Sequence, residues 1–292
     1  MLCKCGSVSV IDDIRRAAFE LRHEDPQEAV RILRQAVAEG GEAEVLARGA
    51  LGEIYLEEFG DLDGAEAEFK KVLKAAPGLA AAEIGLARTR REAGNYEDAD
   101  AGFTRAIESL SRDVAAFRAA KELPPGVEEV VLTLLEVSVE LAELRGASVP
   151  LDEELLSWAA EQRLFDAEGD ADDWVRFHAL WTELRLHTGR PEEALTAVRE
   201  AERAGVLPPA ESARLLSLAL EDLGDQLRAG AEAKRRLELL PEPWPVGEVV
   251  RTAKLLGDDA LLRRGAAQWG ADSDEARLLR SGTAPIVQLG KK

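Results

Sequence analysis

Any catalysis or metal binding by this chain would have to come from a short set of side chains. There are three histidines, His23, His178 and His187. The last two stand nine residues apart on one predicted helix, whereas two imidazoles sharing a metal from one helix face are three or four apart. Neither has a cysteine nearby, so packing or surface roles fit them better. Cys3 and Cys5, followed by Gly6, match half of a zinc ribbon. Four ligands are normally needed, and the chain has no second cysteine pair. Cysteines that close together rarely form a good disulfide.

The densest acidic run is Asp166, Glu168, Gly169, Asp170, Asp172 and Asp173. A calcium loop starting at Asp166 would need Gly at the sixth place and Glu at the twelfth. Those places hold Ala171 and Phe177. Weak divalent binding is the lesser reading of this run. The plainer one is a solvated turn before a helix whose start Asp172 and Asp173 favour. The phosphate-binding loop, the dinucleotide fingerprint and the Gly-x-Ser-x-Gly elbow are all missing. Carboxylates are plentiful, but nothing singles out a pair for acid–base work. The sequence points away from an enzyme and implies no cofactor and no metal. Of the five tryptophans, Trp181 falls at the buried phase of its helix. Trp244 sits in the stiff stretch Pro241–Pro245, as a plug over the neighbouring helix or, less simply, as an exposed anchor for a partner.

Ala and Leu carry most of the apolar content, and β-branched runs of strand length are almost missing, so the composition reads as all-α. The net charge is −19 and unevenly spread. Residues 114–174 hold 4 basic and 15 acidic side chains, whereas 175–292 hold 18 of each. A field of that sign repels phosphate backbones and anionic lipid heads. The expectation is a protein or peptide partner with a basic surface, no nucleic acid and no membrane insertion. The alternative is that the charge serves solubility only. No apolar run reaches the length of a membrane span or a secretory signal, so the expected location is the cytoplasm. Scarcity of Lys and Met beside Arg and Ala hints at a GC-rich bacterial genome.

The elements that carry these residues recur along the chain. The clearest unit spans about 45–79, with Leu51-Gly52, Tyr55, Gly60-Asp61, Ala65, Phe69 and Pro77. Gly52 and Ala65 lack bulk where two helices cross. Leu51, Tyr55 and Phe69 fall on faces buried between helices. Gly60-Asp61 reverses the chain, and Pro77 stops the second helix. Related units run over 10–41, 80–113, 175–207 and 210–243. Their marker alanines, Ala29, Ala65, Ala99, Ala194 and Ala229, are spaced by 36, 34, 95 and 35 residues. The unit at 45–79 carries one extra residue before Gly60.

This pattern resembles the tetratricopeptide repeat, with its period of about 34 residues. The resemblance implies a right-handed α-solenoid of stacked antiparallel helix pairs, a superhelix with a concave inner wall. The expected organisation is a flexible 1–9, three repeats in 10–113, an irregular acidic helical hairpin in 114–174, two repeats in 175–243, a degenerate capping repeat in 244–271 and a tail in 272–292. Within the hairpin, helices are expected at 127–145 and 152–168. The last stretch, 281–292, reads as disordered, with an extended lie along the solenoid as the other reading. A period near 35 also suits pentatricopeptide repeats, which read RNA, but those need a basic groove and this chain is strongly acidic.

In the tetratricopeptide family the first helix of each pair lines the inner wall. By helical phase, the resemblance then places Leu46, Gly49, Glu53 and Leu56 inward in the 45–79 unit, and Ile84, Arg88 and Arg91 in the next. Beyond the insert it places Arg176, Ala179, Glu183 and His187, then Glu211, Arg214 and Leu218. This mixed wall suits an extended peptide or a partner helix. Some family members clamp a chaperone's C-terminal carboxylate with Lys and Asn. The matching places here hold Gly49, Glu53, Ile84 and Arg88, so such a clamp is not expected. The leading expectation is an interaction scaffold or adaptor. A peptide-sensing regulator and, further off, a metal protein using the acidic insert are the alternatives.

Overall fold

The computed structural model describes residues 6–146, 158–159, 164–165, 171–270 and 273–282. They form two compact units that divide between Pro124 and Pro125. Unit 1 begins with α1 (Gly6–Arg16), a π-helical turn (Ala17–Leu21) and α2 (Arg22–Glu24). It continues with α3 (Pro26–Glu39), α4 (Gly41–Glu57), α5 (Leu62–Ala75), α6 (Ala80–Glu92) and α7 (Tyr96–Ala119). Unit 2 contains α8 (Val127–Arg145), α9 (Ala171–His187), α10 (Pro191–Arg203), α11 (Pro209–Asp222) and α12 (Gln226–Leu239). It ends with α13 (Val246–Leu256), α14 (Asp259–Ala267) and α15 (Asp274–Ser281). No strand occurs among the described residues. In each unit every helix packs on the next, and first helices also meet, as α4 meets α6 and α9 meets α11. The fold is an all-α solenoid of stacked helix pairs.

Local chemistry explains why the chain breaks where it does. Each second helix starts from a short polar turn. The side chains of Asp25, Asp61, Asn95, Asp225 and Asp258 cap the following helix by accepting a backbone N–H. At the fourth unit Arg190 caps nothing, and Pro191 sets the first helical φ instead. The residue before the cap is glycine with φ near +78° at Gly94 and Gly224, a conformation a β-carbon disfavours. The backbone then closes with a fixed reach. The N–H groups of Asn95, Arg190, Asp225 and Asp258 donate to carbonyls five residues back, at 2.8–3.0 Å. Asp61 differs, since its N–H donates to Tyr55 O, six residues back, at 2.8 Å. The extra residue seen in the sequence is absorbed in that turn.

Packing follows from the small residues. All five marker alanines are 0% exposed. Phe69 of α5 is fully buried, and its ring is received by two glycines of the flanking first helices. A β-carbon on Gly52 would stand 2.7 Å from that ring, and one on Gly85 2.3 Å. Distances that short force a shift, so the glycines are what lets α4 and α6 close on α5. Unit 2 ends on a separate core of Leu237, Val249, Leu261, Ala276 and Leu279. Trp244 covers it: its backbone N–H donates to Gln268 Oε1 at 2.8 Å, and its carbonyl accepts from Trp269 Nε1 at 3.3 Å. The plug reading of Trp244 therefore holds. Trp181 is only half-buried, with the Arg185 guanidinium 4.3 Å from its ring centre.

Several expected boundaries move. Helix α1 begins at Gly6, inside the stretch expected to be flexible. Helix α7 runs on to Ala119, past the expected end at 113, because Val114 still packs inward. The first helix expected in the acidic insert is α8, with the expected bounds. The second, at 152–168, lies almost wholly outside the described residues, as do Cys3, Cys5 and most of the acidic run at 166–173. The expected tail from 272 is corrected. Residues Asp274–Ser281 form α15, started by the Ser273 cap, and bury Ala276 and Leu279 on α13 and α14. An eight-residue helix is too short for its period to stand out in the sequence. Residues 283–292 lie outside the described ones.

Candidate functional site

The exposed face of α4 in unit 1 carries Leu46, Gly49 and Glu53, three and four residues apart and so on one line of the helix. Leu46 is exposed and Gly49 half-buried. The Glu53 side chain is 51% exposed. Even so, burial is the largest influence on its carboxyl and pushes it above the usual carboxylate range. Arg22 opposes that rise, Glu57 adds to it, and Arg88 opposes it. Half of the Glu53 side chain thus meets solvent while Arg22, Glu57 and Arg88 stand around it. Arg22, itself 12% exposed, approaches three carboxylates of α4 and its end: Glu53 at 3.5 Å, Glu58 at 3.4 Å, and Glu57 in direct contact. His23 Nδ1 also meets Glu58, at 2.9 Å.

The corresponding first helices of unit 2 are laced together. Arg214 of α11 donates to Glu183 of α9 and, through Nε at 3.0 Å, to Glu211 of its own helix. Arg236 of α12 reaches Glu211 at 3.4 Å and Glu248 of α13 at 2.9 Å. The chain Glu183–Arg214–Glu211–Arg236–Glu248 thus crosses three successive pairs. These side chains are only 16–24% exposed. Burial pushes the Glu211 carboxyl up, but hydrogen bonding to Arg214 and the charges of Arg214 and Arg236 hold it below the usual range. Burial likewise acts to lower the Arg214 guanidinium, and Glu211 and Glu183 together more than reverse that. A second staple has Arg251 of α13 donating to Glu221 at 2.7 Å and to Ser217 Oγ at 3.1 Å, while the Ser217 hydroxyl donates to Ala229 O at 2.9 Å.

Other residues expected on an inner wall fall elsewhere. Ile84 is buried at 5% exposure, a correction: α6 is packed on α4, α5 and α7, which leaves no solvent over that position. Leu56 packs against the Phe69 core and Ala179 against the Val198 core, so both serve packing. Arg91 is half-buried, its guanidinium 5.7 Å from the Phe103 ring centre. Arg88 is half-buried and near enough to act on Glu53. Arg176 of α9 is tied to Glu136 of α8 at 2.8 Å. Leu218 and His187 are half-buried, and His187 opposes the rise that burial and Glu221 impose on Asp222. His178 sits among Trp174 and Phe177, and burial, helped by Arg185, lowers its imidazole. Among the described residues no three His, Cys, Asp or Glu side chains are placed to hold a metal ion. None of the described helices is long and apolar enough to cross a membrane.

Sequence phase missed Arg22, Glu57, Arg236 and Glu248. Arg22, Arg236 and Glu248 reach these faces from other helices, so no single-helix pattern signals them, whereas Glu57 lies one turn beyond Glu53 on α4 itself. Residues 56–123 match the family model described as "Tetratricopeptide repeat". That segment, from the end of α4 through α7, carries the tetratricopeptide repeat. No curated protein matches the sequence. Among solved structures, a tetratricopeptide repeat protein from Parabacteroides merdae ATCC 43184 is similar at 12% identity and a TM-score of 0.56, over 94% of this chain and 98% of that one. At that identity the likeness concerns the fold alone. The Pseudomonas aeruginosa pilF structure (18% identity, TM-score 0.41) covers 81% of this chain and 96% of its own. The assembly chaperone of RpL4, Acl4 (20%, TM-score 0.45), covers 93% and 94%. Tetratricopeptide-repeat proteins bind other proteins.

Proposed function

We propose that this tetratricopeptide-repeat protein is a non-enzymatic scaffold or adaptor, and that it takes a basic peptide segment or helix of a partner along the first-helix face of unit 1. The observation that carries the reading is the acidic line on α4, where Glu53 and Glu57 are half-exposed on the same side of the helix as the exposed Leu46. Glu57 and Glu58 stand at the C-terminal end of α4, where the helix dipole disfavours anions. One largely covered guanidinium, Arg22, is in ion-pair reach of all three carboxylates, with His23 also on Glu58 and Arg88 near Glu53. A Lys or Arg side chain from a partner relieves that surplus, and Leu46 gives it an apolar neighbour. The net charge of −19 favours approach of a basic partner and disfavours nucleic acid. Solution in the cytoplasm, and a bacterial source, belong to the same reading.

The test uses the full chain against immobilised arrays of basic and acidic peptides, with Glu53→Lys as the variant. Retention of basic peptides that is lost in the variant supports the reading. Retention of none, or retention indifferent to Glu53→Lys at an unchanged melting temperature, counts against it.

A further inference from the structure

A second groove in unit 1, of about 460 Å³, lies on the second-helix side. Its size falls within the range of about 300–1,000 Å³ typical of ligand-holding clefts. One wall is the α3 face of Gln27, Val30 and Arg34, and the other is Tyr55, Phe59 and Asp61 at the end of α4 and its turn. Two local features shape it. The first is the extra residue in the turn: Asp61 N–H reaches back six residues, where Asn95, Arg190, Asp225 and Asp258 reach five. That insertion leaves Phe59 40% exposed, tilted against Tyr55 at 6.3 Å between ring centres.

The second feature is Val30. It follows the marker Ala29, where the next unit has Glu66 after Ala65. Glu66 pairs with Lys70 at 3.0 Å and with Arg90 at 3.6 Å, so that place is filled with compensated charge. Arg34 holds the position equivalent to Lys70, but with Val30 beneath it the intrahelical carboxylate is gone. Its Nη2 donates to Tyr55 Oη at 2.8 Å, and among the described residues it has no carboxylate within ion-pair distance. In a chain at −19, this leaves an exposed guanidinium beside an apolar, aromatic floor.

We infer that this groove docks a partner segment presenting an aromatic or aliphatic side chain next to a carboxylate. The apolar side chain lies against the exposed face of Phe59 at the Tyr55–Phe59 edge, beside Val30, where it shields the Phe59 surface the fold leaves wet. The carboxylate meets the planar fork of Arg34. Asp61, on the opposite rim, repels a second carboxylate and so fixes the direction of the segment. The site is separate from the Glu53 face and prefers the opposite charge.

Two probes test it by NMR on the full chain: N-acetyl-Phe-Asp-amide and N-acetyl-Phe-Lys-amide, titrated to roughly millimolar concentrations, as suits so small a ligand. The expected result is saturable shifts of the Val30 methyls and the Tyr55 ring. The Asp probe should bind about two- to fivefold more tightly than the Lys probe, the size of one exposed ion pair. Arg34→Glu should invert that preference and Phe59→Ser should abolish the shifts, with spectra otherwise unchanged. Glu53→Lys should leave them intact, which separates this site from the proposed peptide face. Equal binding of both probes, a preference that survives Arg34→Glu, or no saturable shift at these residues would overturn the inference.

Discussion

The first helices of the two units solve the same electrostatic problem in opposite ways. In unit 2 the acids and arginines alternate across α9, α11, α12 and α13, each within reach of a partner on the next pair. In unit 1 three carboxylates at the end of α4 share one guanidinium, and Glu53 and Glu57 stay half-exposed. The consequence is legible in the carboxyls themselves. Glu211 is held below the usual range by its cations, and Glu53 is pushed above it by burial. Both helices bear carboxylates at inward phases, so residue type does not separate them. What differs is the balance at each spot: Glu211 is hydrogen-bonded to Arg214 and Arg236, whereas Glu53 has Arg22 at 3.5 Å and Arg88 near it, offset by burial and the like charge of Glu57. A laced face strengthens the stack, and an unlaced one remains available to a partner.

The comparison can be broken first at Arg214. Replacing it with Met leaves the partly buried Glu183 without its cation and Glu211 with Arg236 alone, and should cost roughly 1.5–3 kcal/mol in urea unfolding. A loss within error would mean that the ladder is ornamental and the two faces are alike. Next comes binding. Glu53→Lys should weaken retained basic peptides by about tenfold, roughly 1.4 kcal/mol, whereas Arg214→Met should leave them within about twofold in isothermal titration. Equal losses from both variants would move the working surface to unit 2 or to both units.

A third pair of changes checks what the units share. Asp61→Ala and Asp225→Ala each remove a cap, and each should cost about 1 kcal/mol in thermal or chemical unfolding. Unequal costs would show that the widened turn at Asp61 is not equivalent to the others.

The smallest effect is the pH dependence. A carboxyl held low adds stability that is full above the ordinary glutamate pKa and is lost as pH falls through its lower folded value. Glu211→Gln should therefore destabilise at neutral pH, with the difference fading in acid. A carboxyl pushed up acts in the reverse sense: stability declines as pH rises from the ordinary glutamate value through the folded one. Glu53→Gln should then raise the melting point slightly at neutral pH and not in acid. The gain should stay under about 0.5 kcal/mol, because solvent screens a half-exposed group. Melting curves over pH with the same sign for both variants would remove the contrast.

The repeat grammar was open to reading because it is local. An alanine 34 to 36 residues from the next within each group of repeats, a Gly–Asp or Gly–Asn turn and a buried aromatic are each set by crossings within one hairpin or between neighbours. The inner-face residues were legible only as phases. That was enough to bring up Glu53, Glu183, Glu211 and Arg214. It was not enough to reject Ile84, Leu56 or Ala179, whose burial depends on how closely adjacent pairs approach. Helix α15 escaped because eight residues carry too little period, although the Ser273 cap was there to be read.

By itself the sequence determined the helical class, the hairpin unit, its caps and the small residues at the crossings, since these depend on neighbours a few positions away in the chain. It also determined the extra residue before Gly60. Only the tertiary structure decided that this residue exposes Phe59 beside Arg34, that Arg22 must serve three carboxylates, and that Arg214 and Arg236 serve theirs. Those outcomes depend on charges and rings arriving from helices 20 to 36 positions away, a distance over which helical phase carries no information.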